Sequence, residues 1–99
     1  MSLTTAQREA TIREFHENLR RLHLSVEDVA KHFGIDASRI ETIIDLKSGV
    51  LEYPWIVRAY LLDEAAARGV ELIPFTALRG DPHDYWFLDG AIIDRGELD

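Results

Sequence analysis

Leu24 to Ile44 reads LSVEDVAKHFGIDASRIETII, two apolar patterns of helical period on either side of a single glycine. Val29, Ala30 and Phe33 form the first set, and Ile40, Ile43 and Ile44 the second, each at the spacing that puts side chains on one helix face. Two short helices packed steeply need a small residue where their backbones approach, and Ala30 fits that place. The connecting turn needs one residue at positive φ, which glycine adopts without a steric penalty, and Gly34 fits there. Ile35 would plug the corner, with Ile40 and Ile43 turned inward. The caps agree: Ser25 with Asp28 three residues on starts one helix over 25–33, and Asp36 starts the next over 36–46.

This pattern, carried by Val29, Ala30, Phe33, Gly34, Ile35, Ile40 and Ile43, resembles the lambda-repressor-like helix-turn-helix superfamily. The motif spans 25–44. The resemblance implies an all-α fold, a bundle of four main helices, with residues 70–99 as a C-terminal appendage. The whole chain also resembles a small bacterial family of uncharacterised proteins, a domain of unknown function. That resemblance rests on the opening MSLT, on YPWIVRAYL (53–61), on PFTALRGDPHDYWFLDG (74–90) and on the closing I-x-x-G-x-L (93–98). It implies a fold and brings no activity with it.

Composition sets the outer bounds. Ninety-nine residues, 46 % of them hydrophobic, suffice for one domain with its own core. The absence of cysteine excludes disulfides, thiolate nucleophiles and cysteine-bound zinc, and fits a reducing compartment. The charged N-terminus does not read as a signal peptide, and no run is apolar enough to span a membrane, so a cytoplasmic protein is expected. Net charge is −7, and it is uneven. Residues 1–50 hold seven Lys/Arg against eight Asp/Glu; residues 51–99 hold four against ten. Proteins that grip nucleic acid draw affinity from cations that displace counterions, so a basic face, if present, belongs to the first half.

Outside the motif, Ile12, Phe15, Leu19 and Leu22 mark a long helix over 5–22, its other faces charged and solvated, with pairs such as Glu17 and Arg21 four apart. Gly49 is expected to end the second motif helix. Pro54 is expected to open a fourth helix, 54–68, closed by Gly69. In the appendage, Val70 to Phe75 reads as extended. Asp81, Pro82 and Asp84 read as the start of a short helix carrying Tyr85 to Leu88 and stopped by Gly90. Ala91 to Ile93 is a short apolar run; as a strand, its partner would be 70–75 in a two-stranded hairpin.

The candidate functional residues lie on the motif. The N-terminal part of the second helix is the part that meets base edges in such folds. Arg39 would pair with guanine, Ser38 and Thr42 would reach bases, and Lys31 and Lys47 would hold phosphates on either side. Asp36, Glu41 and Asp45 oppose this by repelling an anion. The four histidines are not at metal-ligand spacing, no nucleophile sits beside a base, and no cofactor motif is present, so neither an enzyme nor a cofactor is expected. The expected function is sequence-specific DNA binding by a homodimeric transcriptional regulator. The rival is a protein-interaction module that keeps the fold without binding DNA. A third reading is a sensor with an aromatic pocket between the fourth helix and the tail.

Overall fold

In the computed structural model, residues 3–99 are described; Met1 and Ser2 of the MSLT stretch lie outside them. The described residues form five helices: α1 (Thr5–Arg21), α2 (Val26–Phe33), α3 (Ala37–Ile44), α4 (Glu52–Arg68) and α5 (Gly90–Arg95). A single 3-10 turn, Pro82–Asp84, precedes α5, and no strand forms among the described residues. Thr4 with Gln7 and Ser25 with Asp28 close reciprocal capping boxes at the starts of α1 and α2. Asp36 stands at the N-cap of α3 with no side-chain cap bond.

The helix ends share one device. Just past the ends of α1, α2, α3 and α4 one residue donates its N–H back five residues: Leu24 to Leu19, Ile35 to Ala30, Lys47 to Thr42, Val70 to Ala65. Each needs one left-handed residue at the corner. Gly34 (φ 72°) and Gly69 (φ 67°) supply two of these without strain. His23 (φ 55°) and Leu46 (φ 60°) supply the others, in a conformation that costs a side-chain-bearing residue roughly 1–2 kcal/mol. So α3 ends at Ile44, not at 46, and Leu46 rather than Gly49 turns the chain.

The core gathers Phe15, Leu19 and Leu22 from α1, Val29 and Ala30 from α2, Ile40, Ile43 and Ile44 from α3, and Trp55 to Val57, Leu61 and Ala65 from α4. The appendage adds Phe75, Leu78, Leu88 and Leu98, so the tail closes the core of its own chain. The Phe15 and Phe75 rings meet at 4.9 Å.

Four expectations for this region are corrected. First, residues 70–75 form no ladder, because α1 satisfies their main chain from the side. Asn18, fully buried, accepts from Ile73 N at 2.9 Å and donates to Ile73 O at 3.0 Å. Glu14, also buried, accepts from Thr76 N and from the Thr76 hydroxyl. These polar side chains belong to the inward face of α1, with Thr11, rather than to its solvated faces. Second, Ala91 to Ile93 are helical, in α5. Third, Gly90 begins a helix instead of stopping one. Asp89 accepts from Ala91 N, while buried Glu52 accepts from Asp89 N, which fixes the N-cap. Residues 85–88 are turn, anchored by the Tyr85 hydroxyl donating to Arg79 O and by Tyr85 against Trp55. Fourth, α4 starts at Glu52. Pro54 sits inside its first turn, where a missing N–H removes no helical bond.

Candidate nucleic-acid interface

α2 and α3 pack against each other, with Val29, Ala30, Ile40 and Ile43 buried in the common core, and Gly34 and Ile35 make the turn between them. The outer faces of the pair are left to the predicted residues. Lys31 lies exposed in the last turn of α2. Ser38 and Arg39 are exposed in the first turns of α3, and Lys47 is exposed just beyond its end. Among the described residues, neither lysine has a carboxylate within ion-pair distance. Thr42 is half-buried, and its hydroxyl donates to Ser38 O at 2.9 Å. That bond turns the hydroxyl along its own helix and away from a ligand.

Arg39 is engaged. Its Nε donates to the main-chain oxygen of Asp99 at 2.8 Å, and its Nη2 donates to the same oxygen. The Tyr53 hydroxyl donates to the Asp99 carboxylate at 3.3 Å, and the neighbouring Leu98 is buried. The tail therefore crosses from α4 to α3 and ends on the guanidinium. A contact sixty residues away leaves no local signal in the sequence. Asp36 and Glu41 are exposed near Arg39, and Asp45 lies 3.6 Å from His16 Nε2. Arg20 and Arg21, which could have touched a backbone beside the motif, both donate to Glu17. Those bonds hold the Glu17 carboxyl down at about 2. Among the described residues, Lys31 and Lys47 are thus left without an ion-pair partner on this face.

A second surface was foreshadowed only in outline. The N-terminal part of α1, the Leu46–Leu51 segment, the start of α4 and Tyr85 to Leu88 enclose a groove of about 650 Å³. Trp55, Tyr85 and Phe87 line it, and Trp86 stands 87 % exposed at its rim. Beside it the imidazole of His83 bridges two carboxylates, Nδ1 to Asp81 at 2.6 Å and Nε2 to Asp94 at 2.7 Å. These bonds raise the His83 pKa, with the Asp81 bond as the largest cause, and they staple α5 to the 3-10 turn.

No curated protein and no solved structure matches the chain. A family model described as an uncharacterised protein conserved in bacteria, DUF2316, matches residues 1–89. That span takes in α1 to α4, the groove and the 3-10 turn, and stops as α5 begins. The chain belongs to this bacterial family.

Proposed function

We propose that the α2–α3 pair is a helix-turn-helix of the lambda-repressor-like kind and that the protein is a non-catalytic, sequence-specific DNA-binding regulator acting as a homodimer. The observation that carries this reading is the α2–α3 pair itself. It combines a buried alanine on α2, a left-handed glycine at the turn, and exposed Ser38 and Arg39 with exposed Lys31 and Lys47 before and after them in the chain. Arg39 would read a guanine edge and the lysines would lie on phosphates. Because Arg39 is bonded to Asp99, base contact requires the tail to let go first.

A specific observation favours a second reading, a protein-interaction module on the same fold. Asp36, Glu41 and Asp45 share the α3 region with one arginine, and that arginine is already paired. The aromatic groove with Trp86 at its rim is a surface of the kind that protein interfaces favour.

Fluorescence anisotropy with a pool of labelled genomic duplexes decides between them. The DNA reading expects binding that weakens steeply between low and moderate salt and falls in an Arg39→Ala/Lys47→Ala double variant. Absence of binding at low salt would refute it and leave the interaction module.

A further inference from the structure

A smaller cleft lies between α4 and the first part of the tail. The outer face of α4 and residues 70–80 enclose about 440 Å³. Leu62, Leu72, Phe75 and Leu78 form its walls, and its only charged lining residues are two arginines, Arg58 and Arg79. The volume is within the range of small-molecule sites, about 300–1,000 Å³.

The charge of this cleft is uncompensated. Arg58 Nη2 donates to Gly80 O at 3.2 Å, and the guanidinium lies over the Trp55 ring at 5.2 Å. Its Nε is buried and has no acceptor. Among the described residues no carboxylate is within ion-pair distance of Arg58 or Arg79. The carboxylate that influences Arg58 is Asp81, whose Oδ1 already accepts from His83 N and Nδ1. Burial accordingly pushes the Arg58 guanidinium down, and Asp81 and Tyr85 offset only part of that effect. Residues 51–99 carry four cations against ten acids. One of the four, Arg68, is paired with Glu64, yet the two in this cleft are left without an anion. Arg79 is exposed and solvated, whereas Arg58 is half-buried, and an unpaired cation partly withdrawn from water is costly unless an anion completes it.

We infer that the α4/70–80 cleft binds a small apolar monocarboxylate, with its head on Arg58 and Arg79 and its hydrocarbon against Leu62, Leu72 and Phe75. The guanidinium fork matches a carboxylate in a bidentate way that a neutral head does not reproduce. One negative charge balances the half-buried Arg58; Arg79 is exposed, so its charge is already screened by water. The inference is independent of the DNA reading, because no residue of the α2–α3 face takes part.

The test uses the full chain carrying Trp86→Phe, which leaves Trp55, the ring under Arg58, as the sole tryptophan. Decanoate is titrated below its micelle concentration and Trp55 fluorescence is followed, with decanol as the neutral-headed control. The expected result is a saturable change with decanoate and binding weaker by about tenfold or more for decanol, about 1.4 kcal/mol. Arg79→Gln, a surface change whose fold is checked by thermal melting, should weaken decanoate by a similar factor and leave decanol unaffected. Arg58→Gln should do the same and also shift the unliganded Trp55 emission. Equal binding of decanoate and decanol, no effect of either arginine substitution, or no saturable change would each overturn the inference.

Discussion

The α2–α3 pair and the tail from Val70 onward are held by different physics. In the pair, the seam is apolar and nearly all its determinants lie within twenty residues of one another: Val29, Ala30, Ile40 and Ile43 inward, Ser25 and Gly34 at the ends. The tail has no partner strand and only one short helix. Its attachment runs through single polar side chains set on distant helices: Asn18 and Glu14 on α1, Glu52 on α4, Arg39 on α3. Burial of Phe75, Leu78, Leu88 and Leu98 then adds the apolar contribution. Contacts of the first kind form cooperatively with the helices. Those of the second kind can open as a unit while the helices stay folded. This difference bears on function, since the tail's last contact holds the arginine that the DNA reading needs.

The largest expected effect lies in the pair. Ile40 is fully buried, and Ile40→Ala should cost about 3 kcal/mol through the lost methylenes and the cavity left behind. It would be read as a lower urea midpoint for the whole chain. Next comes the tether: Asn18→Ala removes both bonds to Ile73 and should cost about 2 kcal/mol, because a partly buried N–H and C=O lose their partners. A change below about 0.5 kcal/mol would mean that the apolar contacts alone hold the tail.

Smaller effects test the corners. His23 is exposed and left-handed, so His23→Gly should stabilise by up to about 1 kcal/mol. Gly34→Ala should destabilise by about the same amount, with nothing within 4 Å to clash and only the backbone conformation at issue. Both are read from thermal melts, and the opposite signs are the point of the comparison.

The smallest effect is a pH dependence in the tail. The raised pKa of His83 means its charged form is favoured by folding, through Asp81 and Asp94. Its contribution is fully present below the unfolded value near 6.5 and is lost as pH rises through the folded value. Amide exchange of α5 should therefore quicken, relative to α3, on going from pH 6 to pH 8, and His83→Gln should remove that dependence.

What the sequence disclosed follows the same division. The α2 span, the start of α3, the Ser25–Asp28 box, the turn at Gly34 and the stop at Gly69 were all readable, because period and caps act within a few residues. The inward turn of Asn18 and Glu14 was not, since polar residues on a charged helix are by default solvated. With those tethers unseen, an apolar, partly β-branched 70–75 suggested a strand, and 91–93 its partner. Leu46 was missed as a helix stop for a related reason: glycine is the expected left-handed residue, and Gly49 stood three places on. Of the candidate site, Lys31 and Lys47 are exposed as read, whereas the engagement of Arg39 by Asp99 and the inward bond of Thr42 depend on geometry that spacing does not encode.

The most direct test of the two-region account is native-state hydrogen exchange on the wild type and on Ile40→Val. That substitution should destabilise the pair by about 1 kcal/mol and so lower the protection of slow α2 and α3 amides about fivefold. If the tail opens on its own, it leaves a still-folded pair behind, and the protection of the tail amides should be unchanged. An equal fivefold loss in both regions would show that the tail opens only when everything does, and would contradict the account.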